Sequence, residues 1–150
     1  FLLSKLNYKN DTLVHRDFHV SNLMYHNKTI GLLDSQDALI GNKAYDLASL
    51  IDDVRLKTSN QLKEKVFNYY LKTNKKIMIK KFKQDFEILS VLRNLKIIGI
   101  FTRLALRDKK KKYLKLIPYA WEMIAHRLQK QNEFKNLMLL LRNNFPKSVR

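Results

Sequence analysis

The sequence predicts an α+β fold, a small β-hairpin element set on a group of helices. Three observations carry this. Residues 11–41 are rich in β-branched and apolar residues broken by short polar turns, the texture of short strands. Residues 45–145 instead space their apolar residues with a helical period. Finally, no repeat, low-complexity tract or linker interrupts the 150 residues, so they read as a single domain, 1–150, with 11–41 as its loop-and-hairpin part.

The elements follow in order. "TLVHRD" (12–17) reads as a short strand entering a loop. "NLMYHNKTIGLLD" (22–34) reads as a hairpin with arms Leu23–Tyr25 and Thr29–Leu33 and the turn His26-Asn27-Lys28. "YDLASLIDDVR" (45–55) starts a helix with an acidic residue near its N-terminus, where the helix dipole favours one. "NQLKEKVFNYYLKTN" (60–74) is amphipathic, with Leu62, Val66, Phe67 and Tyr70 on one side. Residues 79–108 form one long helix or two close ones. Residues 113–131 form another, disturbed at Pro118, and 133–145 close the series before Pro146. A hairpin with one neighbouring strand is not stable alone, so the helices must cover it.

Composition narrows the function. The absence of cysteine excludes disulfides and thiolate metal sites and fits a reducing compartment, so a cytoplasmic location is expected. Apolar runs such as "IIGIF" (97–101) fall far short of the ~20 residues a membrane span needs. The first residue is Phe1 and no signal peptide opens the chain, so a fragment of a longer protein is expected. Lys+Arg number 30 against 13 Asp+Glu, a net +17, which points to an anionic partner: nucleic acid, a membrane surface or a phosphorylated ligand. The lysines are spread along the chain, and asparagine and isoleucine are common. Most of the charge therefore reads as solvated surface with a compositional bias, and no specific nucleic acid is expected as partner. "RDKKKKYLK" (107–115) reads in the same way, as a lysine-filled loop.

The chemistry concentrates in "LVHRDFHVSNLMY" (13–25), for which three readings compete. His15, Asp17 and His19 alternate, and on a strand they would share one face and could ligate zinc. Yet after His26 no histidine follows until His126, and no dense cluster supplies further ligands. Alternatively, the polar residues satisfy their neighbours at the end of a strand. The third reading is phosphoryl transfer. It needs a carboxylate to take the acceptor's proton, a nearby amide oxygen to bind Mg²⁺, and a second carboxylate on a following hairpin for the metals that bridge the phosphates. The pattern H-R-D-x-x-x-x-N is present as His15-Arg16-Asp17…Asn22, and "GLLDSQD" (31–37) brings Asp34 to the end of an apolar strand. Loop, hairpin and aspartate in this order and at short range are hard to obtain by chance.

These residues, with "IGLLDSQDALIGNKAYDLASLIDDVR" (30–55) and "LKIIGIFTRLALRD…YLKLIPYAW" (95–121), resemble the aminoglycoside phosphotransferase and choline kinase group. Within that group the likeness is greatest to the bacterial anomeric kinases of N-acetylmuramate and N-acetylglucosamine that serve cell-wall recycling. The resemblance implies the C-terminal lobe of a protein-kinase-like fold, with ATP and Mg²⁺ as cofactors and the anomeric hydroxyl of an N-acetyl amino sugar as acceptor. It implies Asp17 as the catalytic base, Asn22 and Asp34 as metal ligands, and His19 as a contact to the transferring phosphate or the substrate. Asp46 is implied to brace the loop backbone, with His15 and Asp37 in supporting roles and Arg16 as an ion-pair partner. An aminoglycoside, choline or homoserine acceptor remains an alternative, as does a non-catalytic basic helical binding fragment.

Two departures stand out. Ser35 follows the metal aspartate where phenylalanine is usual. No Gly-rich phosphate loop, strand lysine or partner glutamate is found, so the N-terminal lobe is expected to be missing and this chain alone to bind ATP poorly. On the substrate side, Arg93, Lys96, Ile100, Arg103 and Arg107 share one helical stripe. Arg93, Lys96 and Arg103 are candidates to hold the lactyl carboxylate of a muramate. The competing reading is a solvated edge, or ion pairs with Asp85, Asp108 or Glu122. Phe101, Tyr119 and Trp121, at helical spacing, read as core rather than as a sugar platform.

Overall fold

A computed structural model describes residues 1–129 and 134–145. The chain forms two compact units, Phe1–Leu89 and Ser90–Arg150, and the boundary falls inside a continuous helix.

The first unit holds all the strands among the described residues. They are β1 (Thr12–Val14), β2 (Leu23–His26), β3 (Thr29–Leu32) and β4 (Leu39–Gly41). The expected hairpin is present as the antiparallel β2–β3 pair, from Leu23 opposite Leu32 to His26 opposite Thr29. Its turn is tighter than expected. His26 belongs to the strand, and the turn is Asn27-Lys28 alone, with φ 47° and 62°. Two successive left-handed residues match the twist of the flanking strands, which is why two-residue hairpin turns take this form. The neighbouring strand β1 does not join this hairpin but pairs antiparallel with β4, Thr12 opposite Gly41 and Val14 opposite Leu39. The hairpin is thus inserted between two paired strands. Gly41 permits that pairing, because a Cβ there would lie 2.6 Å from Cγ2 of the buried Val14.

Helices α1 (Tyr45–Ile51) and α2 (Asn60–Thr73) follow. Ser59 caps α2, its side chain accepting the Leu62 N–H at 3.2 Å. Val66, Phe67 and Tyr70 pack on a core of Ala44, Leu47, Ala48, Ile51, Phe82, Phe86 and Leu89. Leu62, expected on the same side, stays 47% exposed in the first turn. Residues 79–106 form one uninterrupted helix, α3 (Ile79–Leu106). Its Asp85 is fully buried and collects four N–H groups: the Asn7 backbone (2.7 Å) and side chain (2.9 Å), the Tyr8 backbone (2.9 Å) and the Asn42 side chain (2.8 Å). A buried carboxylate needs such a set of donors to replace water. These bonds tie the start of the chain, the entry to α1 and α3 together.

The second unit contains the rest of α3, a 3-10 segment Lys111–Leu116, α4 (Ile117–Leu128) and α5 (Lys135–Asn144). Pro118 does not disturb a helix; it sits in the first turn of α4, where its missing N–H has no bond to break. Phe101 and Trp121 are buried and Tyr119 half-buried, as core residues would be. The expected boundaries at 131, 133 and 146 lie outside the described residues. No helix among the described residues is long and apolar enough to cross a membrane.

The two strand-borne glycines make opposite predictions. Gly41→Ala should lower stability by about 1–3 kcal/mol through collision with Val14, read as a fall in Tm. Gly31→Ala meets nothing closer than 3.7 Å and should leave Tm nearly unchanged.

Candidate active site

The loop between β1 and β2 leaves the ladder at Val14, so its N–H groups lose strand partners and need others. Asp46, in the first turn of α1, supplies them. Its Oδ2 accepts the His15 N–H at 2.7 Å and its Oδ1 the Arg16 N–H at 3.0 Å. Arg16 takes a left-handed conformation, φ 71°, uncommon for a residue with a side chain. That reversal turns the chain into Asp17.

Asp17 is half-buried, and its carboxylate accepts no hydrogen bond and makes no ion pair among the described residues. Its backbone carbonyl is well used, accepting the His19 N–H (3.0 Å) and the Asn22 side-chain amide (3.0 Å). Asn22 therefore spends its NH₂ on the loop itself. Its Oδ1 is left without a protein donor among the described residues.

The hairpin end is fastened to this loop at Leu33. The Leu33 N–H donates to the Asn22 carbonyl at 2.9 Å, and the Leu33 carbonyl lies 2.9 Å from Nε2 of His15. A carbonyl only accepts, so the ring hydrogen sits on Nε2. The imidazole is buried, 6% exposed, with its edge to Phe18. Asp34 comes next, exposed and left-handed at φ 67°, with the Gln36 amide donating to its Oδ1. The structure thus joins Asp17, Asn22 and Leu33, the residue preceding Asp34, through two bonds, and a third from His15 holds the Leu33 carbonyl.

Other expected residues are placed differently. Arg16 makes no ion pair among the described residues; its Nη1 lies 3.4 Å from the Asp37 carbonyl. Asp37 meets Arg16 through its main chain, while its carboxylate is exposed. His19 is 7% exposed and begins the 3-10 turn Val20–Asn22. Ser35 lines a cavity of about 550 Å³ with Phe18, Asp46 and Tyr70. The Tyr70 hydroxyl is raised above the usual phenol range by burial and by the negative charge of Asp46.

Sequence reasoning missed Asp53. Its carboxylate is 3% exposed; Oδ2 accepts the Val20 N–H at 3.2 Å, and Oδ1 accepts the Arg55 N–H at 3.1 Å and meets Arg55 Nη1 at 3.3 Å. The available signal was "DDVR", two aspartates directly after an apolar helix. The other, Asp52, lies 3.3 Å from the buried Lys63 ammonium.

The cationic stripe of α3 divides. Arg93 is buried, 5% exposed, whereas Lys96 and Arg103 are exposed on the same side as Gly99 and Leu106. Arg107 pairs with Asp108 at 2.7 Å, which lowers the carboxyl pKa of Asp108. Periodicity groups these cations on one stripe; packing separates their environments.

The zinc reading finds no support, since the described residues hold no cluster of three His, Asp or Glu side chains that could ligate a metal. The oxygen donors of Asn22 and Asp34 instead fit a hard cation such as Mg²⁺, which binds few protein oxygens and keeps water or phosphate in its other positions.

A carboxylate and an amide oxygen without protein partners among the described residues, on one fastened loop, are what a kinase-type phosphotransferase requires. The phosphotransferase enzyme family matches residues 2–78, which include the loop, the hairpin, α1 and α2, and the chain belongs to this family. Three relatives are each called N-acetylmuramate/N-acetylglucosamine kinase. The chain is 33% identical to that of Caulobacter vibrioides over 112 residues (71% of this chain, 31% of the relative). It is 40% identical to that of Neisseria meningitidis over 111 residues (70% and 33%). It is 34% identical to that of Pseudomonas aeruginosa over 134 residues (85% and 40%). The matched part spans between about a third and two fifths of these relatives' length.

His15→Phe tests the fastening of hairpin to loop. An aromatic ring is kept, a somewhat larger one, but the Leu33 carbonyl loses its donor. Stability should fall by about 1–2 kcal/mol, measured by denaturant titration.

Proposed function

We propose that this chain is the catalytic-loop portion of an ATP-dependent kinase that phosphorylates a sugar hydroxyl, the anomeric hydroxyl of N-acetylmuramate or N-acetylglucosamine. The observation that carries the reading is the pair of oxygen groups that make no hydrogen bond among the described residues, the Asp17 carboxylate and Asn22 Oδ1, on a loop fastened by Asp46, Asp53 and Leu33. The names of the three relatives support the acceptor.

In this reading Asp17 accepts a hydrogen bond from the acceptor hydroxyl, orients its oxygen toward the γ-phosphorus of ATP, and takes the proton as the new O–P bond forms. Asn22 and Asp34 would hold Mg²⁺, which neutralises charge on the phosphates. The bonds at Leu33 keep Asp34 in register with Asn22. His19 is nearly enclosed, which leaves little of it to contact the phosphate. Asp46, His15 and the Asp37 carbonyl maintain the loop. This reading assigns the cover over the nucleotide to a separate N-terminal lobe. Exposed Lys96 and Arg103, with buried Arg93, are the candidates for recognising the muramate carboxylate.

Two measurements on the whole protein test this. Asp17→Asn should lower kcat by about 10²- to 10⁴-fold with little change in sugar KM, because only proton acceptance is lost. Phosphoryl transfer at the unsubstituted rate would refute the role. Replacing Lys96 and Arg103 together by alanine should raise KM about tenfold for N-acetylmuramate and leave N-acetylglucosamine, which lacks the carboxylate, within twofold. Equal effects on both sugars would remove the carboxylate contact.

A further inference from the structure

The loop has two anchors, at opposite ends of one short helix. Asp46 lies in the first turn of α1 and holds the N–H groups of His15 and Arg16. Asp53 lies two residues past the last residue of α1, Ile51, and holds the N–H of Val20. Arg16 immediately precedes Asp17, and Val20 precedes Asn22 by two residues. The first anchor therefore fixes the residue proposed as base. The second fixes the start of the turn that carries the amide proposed as metal ligand.

We propose that Asp53 is a positioning residue for phosphoryl transfer: its buried carboxylate, held by Arg55, sets the placement of Asn22 relative to Asp17 through the Val20 N–H. This deepens the kinase reading and rests on it. Three features support a specific device. The carboxylate is 3% exposed, and its two oxygens divide their work, one for the loop and one for Arg55. Arg55 approaches through both its backbone N–H and its guanidinium, so the carboxylate cannot rotate away from Val20 without losing both contacts. Without Asp53, the turn Val20–Asn22 retains the bonds internal to the loop, Asn22 N–H to the His19 carbonyl and Asn22 amide to the Asp17 carbonyl, and the Leu33 N–H on the Asn22 carbonyl, which ties it to the hairpin. Those preserve the shape of the turn but do not fix it against α1. A base and a metal ligand that drift relative to one another lose rate steeply, about a hundredfold for a displacement near 1 Å.

The test has two arms. In the chain described here, amide hydrogen exchange is followed by NMR for Asp53→Ala, Asp53→Asn and Asp46→Ala. The Val20 amide should exchange at least about tenfold faster in Asp53→Ala, with His15 and Arg16 unchanged, and the reverse should hold in Asp46→Ala. Asp53→Asn keeps an acceptor oxygen and should retain most of the Val20 protection, and it serves if the alanine variant does not fold. In the whole protein, Asp53→Ala should lower kcat about ten- to a hundredfold, raise the Mg²⁺ concentration for half-maximal rate, and leave sugar KM within twofold, with Asp53→Asn partly restored. Unchanged Val20 exchange in both Asp53 variants would overturn the proposal whatever the kinetics. Faster exchange with unchanged kcat and Mg²⁺ requirement would overturn the positioning role. A whole protein with no phosphoryl transfer would instead sink the kinase reading, and the exchange arm would still decide whether Asp53 holds the loop.

Discussion

A chain that leaves a strand to form a loop must find new partners for its backbone N–H groups, and here the first two find the same carboxylate. The Asp46 bonds to His15 and Arg16 are the constraint from which the rest of the site follows. They commit Arg16 to a left-handed turn, which directs Asp17 away from the ladder. They also set the backbone of His15, whose ring then reaches the Leu33 carbonyl. An acidic side chain suits this task because it can accept two N–H groups at once, and because the start of a helix favours negative charge.

That constraint would be of little use on a mobile support. Helix α1 is short, with only seven residues, and owes its position to what surrounds it. Leu47, Ala48 and Ile51 belong to the core formed with Phe82 and Phe86. Asn42 accepts the Ala44 N–H and donates to Asp85 and to the Tyr8 carbonyl. The polar cluster about Asp85 and the apolar core thus hold the same helix from two sides. Removing a polar group from such a cluster leaves buried donors without acceptors, which costs more than the bond itself.

Much of this was legible in the sequence, for reasons that differ by residue. Asp17 and Asn22 stood out through their spacing from His15 and Arg16, and the hairpin through two apolar arms about a short polar turn. Strand β4 was not, because three residues are too few to display a period of two. The role of Asp46 came only from resemblance. Asp53 was missed because its partner is a backbone N–H 33 residues earlier, and sequence patterns record side chains, not backbone partners. Pro118 was misjudged because a proline that breaks a helix and one that begins it look alike until the boundary is known. Period puts the α3 cations on one stripe, but a helix covered on most sides gives no periodic clue to which of them is buried.

The insertion of β2–β3 between the paired strands β1 and β4 has one more consequence. The four facing pairs of the hairpin, ending at Leu23 opposite Leu32, separate its tip from the fastened Leu33. Extra residues between Asn27 and Lys28 would lengthen an arm projecting from the unit without altering the register at its base. The tip is therefore the place where this fold can accept foreign sequence, a reporter or a binding epitope, while the loop that begins at His15 remains as it is.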